Sequence, residues 1–352
     1  MKRLPFLLVV CLLIFLRFFQ NQVHFQDGQK VRITENVRTE PIRYNFSQSL
    51  KIAGLKTALP LYPEINYGDR IVVEGLVAED RLISPVLVKI KASKNVLFLT
   101  REKIIAFYRQ SLPEPHASLV AGVTLGSRAT LPSAFWQSLK NSGTAHVVVA
   151  SGMNVTLVAG GLLSTLVLFV KRKQAVFICI IAIWIYALIC GFDAPIVRAA
   201  VMGSLAFAAL GLGRLSLAGR ALIIAGSVML LLKPSWLLDL GFWLSFVATG
   251  SLILFQKPLE KMLHFVPSII RGDLATSLAA QIGVAPILYY TFGYISILSP
   301  LINALVLWTI APLTVIGMLA GLISLISPFM AGVILYLTYP LSSWFILIVH
   351  FF

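Results

Sequence analysis

The sequence predicts a polytopic α-helical membrane protein with a small all-β, OB-like extracytoplasmic domain near its amino end. Three observations carry that expectation. Hydrophobic residues make up 58% of the 352 positions and charged residues only 12%, against roughly 25% charged in a soluble domain. Apolar runs long enough to cross a bilayer recur from residue 146 onward. Between residues 21 and 100 the pattern changes to short alternating bursts broken by turn formers. The formal net charge of +15 is partly what such a topology demands, because Lys and Arg collect in cytoplasmic loops. Cys11, Cys179 and Cys190 stand in apolar stretches without ligand spacing, so neither a disulfide framework nor a metal site is expected.

The elements follow in order. In residues 1–20, the run Leu4 to Phe19 follows Lys2 and Arg3 and lacks a small-residue cleavage site. It reads as a retained membrane anchor with its amino end in the cytoplasm, which places residues 21–100 outside. There, Val31, Ile33 and Val37 form one burst, and Ile42, Tyr44 and Phe46 the next, continued by Leu50 and Ile52. Tyr67 to Val77 and Leu82 to Ile90 complete about five strands, the count of an OB-type barrel. Arg32, Arg43, Lys89 and Lys91 are basic strand positions and candidate DNA contacts. Tyr44 and Phe46 could stack on bases or fill the barrel core, and the core is the favoured expectation. Residues 101–145 hold two amphipathic stretches, Arg101 to Arg109 and Ser133 to Lys140, expected to lie in the interface plane with Trp136 at headgroup level.

Residues 146–352 form the polytopic part. Spans are expected at 147–170, 175–191, 195–213, 218–232, 236–255, 274–291, 295–325 and 328–350. This threading puts Lys171, Arg172 and Lys173, then Arg214 and Arg220, then Lys257, Lys261 and Arg271 in cytoplasmic loops. Pro300 and Pro312 either leave 295–325 as one span or divide it, which would switch the side of the carboxyl end.

The same threading sets nearly every intramembrane polar residue at one depth. His146, Ser151 and Asn154, the Asp193 to Arg198 turn, Asp239, Asn303, and Pro286 with Tyr289 all fall in outer halves. Such groups are costly in hydrocarbon unless they face protein or water, so a shared outward vestibule is expected. Each has a plainer alternative. Asp193 could cap the helix that begins near Pro195, and Arg198 could lock Asp239. Ser151 and Gly152 could permit close helix packing, and His146 could be an interface histidine.

Four motifs resemble one family. Gly143-Thr-Ala-His-Val-Val-Val-Ala-Ser-Gly152 resembles the Gly-x-x-His-x-x-x-x-Ser-Gly element of the ComEC-type competence proteins. Pro195-Ile-Val-Arg-Ala-Ala-Val-Met202 resembles their Pro-x-x-Arg-Ala-x-x-Met element, and Asp239-Leu-Gly-Phe-Trp-Leu-Ser245 their Asp-x-Gly-Phe-x-Leu-Ser element. Pro300, Asn303 and Pro312 fit a later Pro–Asn–Pro segment. Met153 and Asn154 depart from the branched aliphatic and His that the family often has. Many members continue into a metallo-β-lactamase-like domain, whose His-x-His-x-Asp-His cluster this sequence lacks.

The resemblance implies a passive conduit, not an enzyme, that carries single-stranded DNA across the bacterial cytoplasmic membrane in natural transformation. It implies no cofactor, and as partners the strand, a competence DNA receptor, the lipid bilayer and a cytosolic ATP-dependent translocase or helicase. No Gly-x-x-x-x-Gly-Lys-[Ser/Thr] site is present to supply the work, and assembly as a homo-oligomer is left open. The conduit residues would be His146, Ser151, Gly152, Asn154, Arg198, Asp239 and Asn303. Two alternatives stand beside it. A small-solute transporter would also explain broken helices with polar residues near the midplane. An intramembrane hydrolase could pair Ser151 with His146, although positions five apart on one helix sit about 140° apart.

Overall fold

A computed structural model of the chain describes residues 25–37, 40–44, 46–129, 131–148, 152–211, 218–293 and 298–351, with positions 14, 16 and 17. The expected anchor, 1–20, lies outside the described residues apart from those three positions. Arg17 donates to the Leu231 carbonyl.

The amino-terminal domain is one sheet of six strands. They are β1 (Lys30–Asn36), β2 (Ile42–Arg43), β3 (Ser47–Ile52), β4 (Leu55–Pro60), β5 (Arg70–Ala78) and β6 (Arg81–Lys91). Their order is β1-β5-β6-β4-β3-β2, and β4–β6 is the parallel pair. Six strands stand among the described residues where about five are expected, because Leu55–Pro60, which no alternating burst marked, forms β4 against β3. Alternation does the rest. Leu50 and Ile52, Leu55 and Leu59, and Ile71, Val73 and Val77 all point into one core. The β3–β4 hairpin closes through Ala53 and Gly54 at φ +49° and +91°, the left-handed pair that a two-residue turn needs. Gln48 is fully buried and organises the segment after β4. Its Nε2 donates to the carbonyls of Pro60 at 2.8 Å and Pro63 at 2.9 Å, and its Oε1 accepts from Ile65 N–H at 3.0 Å.

Tyr44 and Phe46 correct the core expectation. They are 56% and 89% exposed. Both sit in the β2–β3 turn, where Tyr44 N–H donates to the Ser47 carbonyl at 2.7 Å, so the inward alternation of the strand has already ended.

Twelve helices follow among the described residues. The first three are α1 (Val96–Ser111), α2 (His116–Leu125) and α3 (Ser133–Asn141). The Asn95 side chain caps α1 by accepting from Leu97 N–H at 3.0 Å. The segment 101–145 differs from an interfacial expectation at α2, which is buried from Ala117 through Leu125. A helix that is apolar on every side belongs inside a core. Leu119, Val120 and Val123 join Val306, Ile310, Leu313, Phe345 and Val349 there.

The rest are α4 (Gly152–Leu166), α5 (Arg172–Ile189), α6 (Ala194–Gly211), α7 (Ala218–Leu232), α8 (Leu240–Met262), α9 (Ser268–Phe292), α10 (Ser299–Ser324), α11 (Pro328–Tyr336) and α12 (Thr338–Phe351), with a 3-10 turn at Pro234–Leu238. α5, α8 and α10 are long and apolar enough to cross a membrane, and α11 with α12, bent by 45°, makes a fourth if taken as one span. α10 is undivided. Pro300 sits in its first turn, where no N–H is needed, and Pro312 is accommodated inside. α4, α5 and α6 share one core and α6, α7 and α8 another, so α6 stands between them.

The β domain is seated on these helices. The Tyr67 and Phe98 rings meet edge to face at 4.8 Å. Gly68, at φ +91°, leaves the space that the Phe98 ring fills.

Candidate functional site

The structure separates the expected vestibule residues into small groups. His146 is exposed, and its Nδ1 lies 3.0 Å from the Gly143 carbonyl. The same carbonyl is 3.5 Å from Ser299 Oγ, which in turn accepts from Asn303 Nδ2 at 3.2 Å. His146 and Ser299 therefore meet at the Gly143 carbonyl, with Asn303 joined through Ser299, and the start of α10 is tied down there. Asn154 faces away from them. It is fully buried, donates to the Val123 carbonyl at 2.6 Å and accepts from Thr314 Oγ1 at 3.5 Å, a strut joining α4 to α2 and α10. Asp239 is the N-cap of α8, its Oδ1 accepting from Phe242 N–H at 2.9 Å. Ser151 lies outside the described residues.

Arg198 and Gly152 do come together. A Cβ on Gly152 would stand 3.1 Å from Ala199 Cβ and 3.2 Å from Arg198 Nη2, so the glycine lets α6 and its guanidinium reach the first turn of α4. The alternative of an Arg198–Asp239 lock is not formed among the described residues, and Asp239 is engaged with its own helix. No acidic side chain pairs with Arg198 among the described residues, and its Nε is buried without a hydrogen-bond partner. Asp193 turns elsewhere, its carboxylate 3.8 Å from the Arg128 guanidinium, with both side chains partly exposed.

On the β domain, Lys30 and Arg32 of β1, Arg70 of β5, and Lys89 and Lys91 of β6 occupy one outward face of three adjacent strands. Directly opposed residues of antiparallel strands share a face, and Arg70 opposes Lys91. Arg32 is 3.5 Å from Glu74 but stays largely exposed. Arg43 corrects its assignment to this group. Its side chain is mostly buried, 3.2 Å from Glu64 and hydrogen-bonded to Asn66 Oδ1 at 2.8 Å. At one end of the domain Tyr44, Phe46 and Tyr62 are all exposed, and Leu61 N–H donates to the Phe46 carbonyl at 3.2 Å, holding the two loops side by side.

A second group had no signal in the sequence. Glu40 accepts from Arg101 Nη1 at 3.1 Å, Ser127 Oγ at 2.8 Å and Arg128 N–H at 2.6 Å. Arg101 also lies with its guanidinium 5.5 Å from the Tyr67 ring centre. Burial, then the Asp69 charge, raises the Glu102 carboxyl on the next position of α1 above its ordinary value, with Arg101 and Arg43 opposing. Glu40 and Arg101 stand 61 residues apart, so neither spacing nor periodicity could have joined them.

Comparison with known proteins bears on the helical part. The family model described as "Competence protein" matches residues 123–352. The chain is 28% identical over 206 residues to ComE operon protein 3 of Bacillus subtilis (strain 168), covering 58% of this chain and 26% of that protein. It is 28% identical over 225 residues to Competence protein ComA of Neisseria gonorrhoeae, covering 56% and 30%. An uncharacterized Escherichia coli (strain K12) protein, YcaI, is 26% identical over 233 residues, covering 60% and 29%. The alignments thus span less than a third of each of these relatives. No solved structure is significantly similar. The matched region runs from inside α2 to the end of α12, with Gly152, Arg198, Asp239 and Asn303 all within it, and the chain belongs to the competence protein family.

Proposed function

We propose that this chain carries single-stranded DNA through the bacterial cytoplasmic membrane during natural transformation, without covalent chemistry of its own. The β domain faces outward and the loops rich in Lys and Arg face the cytoplasm. The observation that carries the reading is Arg198. A guanidinium held among membrane helices without a counter-charge is costly, and a phosphate oxygen is the acceptor its planar fork matches. The first turn of α4, brought against it at Gly152, adds the positive end of a helix dipole. Both features favour an anion over a neutral or cationic solute.

The family supports the setting, since one relative is named a competence protein. In the β domain, β1 and β2 read as two halves of one bent first strand, which gives the five-membered order of an OB-type barrel with β4–β6 as its parallel contact. Its outward Lys and Arg suit a phosphate backbone and its exposed Tyr44, Phe46 and Tyr62 suit stacked bases. A competence DNA receptor outside and an ATP-driven translocase inside complete the system.

The test follows labelled DNA into the cytoplasm, scored apart from DNA bound at the surface. A charge-assisted contact is worth roughly 1.5–3 kcal/mol, so Arg198→Ala should lower uptake roughly ten- to hundredfold. Arg198→Lys should fall between, keeping charge but losing the fork. Membrane abundance should hold in both, because no partner is left stranded. Unchanged uptake in a normally abundant Arg198→Ala protein sinks the reading.

A further inference from the structure

A cavity of about 200 Å³ lies at the seam between the β domain and the membrane helices. Arg43, Asn66 and Tyr67 line it from the β domain, and α1 contributes Arg101, Ile105 and Arg109, stacked at spacings of four and eight residues, with Glu102 beside them. Its donors are incompletely used. Arg43 and Arg101 each have a buried Nε without a hydrogen-bond partner, and the Arg101 side chain is only 4% exposed. Glu64 and Glu40 neutralise those two guanidinium groups, whereas Arg109, exposed on α1, has no ion-pair partner among the described residues. The cavity thus joins two neutralised guanidinium groups in its wall to one free positive charge beside them. That combination suits a flat group attached to an anion.

Its location is equally specific. On one side, Arg43 directly precedes the exposed Tyr44, and Glu64 follows the exposed Tyr62 by two residues. On the other, Ser127 leads to Arg128, which faces Asp193 at 3.8 Å, one residue before α6 and five before Arg198. We propose that the cavity takes one nucleotide of the strand between the aromatic tip and the membrane helices. The base lies against the Arg43 and Arg101 guanidinium groups, as bases stack on arginine planes, Glu102 stands beside it, and the phosphate rests on Arg109. This rests on the reading of single-stranded DNA as cargo, and it identifies a way-station that reading does not require.

The experiment uses the full chain in detergent micelles and titrates thymidine 5′-monophosphate, with thymidine and inorganic phosphate as separate probes and a thymidine oligonucleotide in parallel. Thymidine 5′-monophosphate should bind saturably and more tightly than either fragment. Ala106→Trp, which fills the cavity from its wall, should abolish that binding, and Arg109→Gln should weaken it roughly tenfold. Arg109 is exposed, so its variant stays readable if Ala106→Trp does not fold. Oligonucleotide binding with no saturable mononucleotide binding overturns the cavity while leaving the conduit reading standing. So does inorganic phosphate matching the mononucleotide in both variants, which would mean a plain surface charge. Normal DNA uptake by a folded Ala106→Trp protein overturns the way-station alone. Loss of uptake in a folded Ala106→Trp protein, together with loss of saturable mononucleotide binding, supports the way-station.

Discussion

Glu40→Ala removes the acceptor shared by three donors where the β domain meets the helices. Glu40 takes Arg101 Nη1 at 3.1 Å, Ser127 Oγ at 2.8 Å and Arg128 N–H at 2.6 Å. The Arg101 and Glu40 side chains are 4% and 15% exposed, so solvent screening takes little from the interaction. Stranding one member of such a buried pair costs about 3–5 kcal/mol, most of it the unpaired charge left behind. Arg101→Leu should be milder. Glu40 would keep two of its three donors, and the loss should approach that of one charged hydrogen bond, about 1.5–3 kcal/mol. Glu40→Leu with Arg101→Leu removes both charges and should be less destabilised than Glu40→Ala alone. The assay is denaturant unfolding in micelles, with limited proteolysis of the segment at 92–95 between β6 and α1. Glu40→Ala should expose that segment as the β domain leaves its base. An effect of Glu40→Ala within about 0.5 kcal/mol of the parent, the range of an ordinary surface change, refutes the reasoning. So does a double variant as unstable as Glu40→Ala.

Two further outcomes are expected. Asp239→Ala should cost about 1 kcal/mol through the lost cap on α8, by an amount that Arg198→Ala leaves unchanged to within about 0.5 kcal/mol; strong coupling in unfolding experiments would restore the ion pair that the geometry denies. Lys89→Gln and Lys91→Gln should each lower the salt dependence of single-stranded DNA binding by about 0.7 in log–log slope if each meets a phosphate, whereas Arg43→Gln should leave the slope alone; equal effects from all three would remove the distinction between the open face and the seam.

Most helices were legible because each apolar run of the polytopic part is long and bounded by charge, Gly or Pro. The boundaries at Lys171, Pro234 and Pro328 fall where the chain's chemistry stops a helix. α2 was not legible. Its ten residues hold His116, Ser118 and Thr124 on no common face, so no period marks a buried side, and its burial depends on α10 and α12 arriving some 180 and 220 residues later in the chain. The β2–β3 turn misled for the opposite reason. Ile42, Tyr44 and Phe46 keep the spacing of a strand after the strand has ended, so pattern alone assigned Tyr44 and Phe46 to a core they never enter. The seam failed on distance, since a buried Glu and a buried Arg far apart in sequence look like any two surface charges.

The common depth expected of the polar residues has a plainer cause than a vestibule. Helices that start at one membrane face place their caps and first-turn ties at one level, because each start leaves N–H groups to satisfy. Asp239 caps α8, Asn303 bonds Ser299 in the first turn of α10, and His146 and Ser299 meet at the Gly143 carbonyl just before α4. A shared depth therefore needs no shared cavity. Arg198 is the residue this account does not absorb. It lies in the second turn of α6, past the capping positions, satisfies no helix end, and keeps a buried N–H without an acceptor. Gly152 is shaped to admit it. The polar residues thus divide into caps and ties that helix starts require and one cation that no helix start requires.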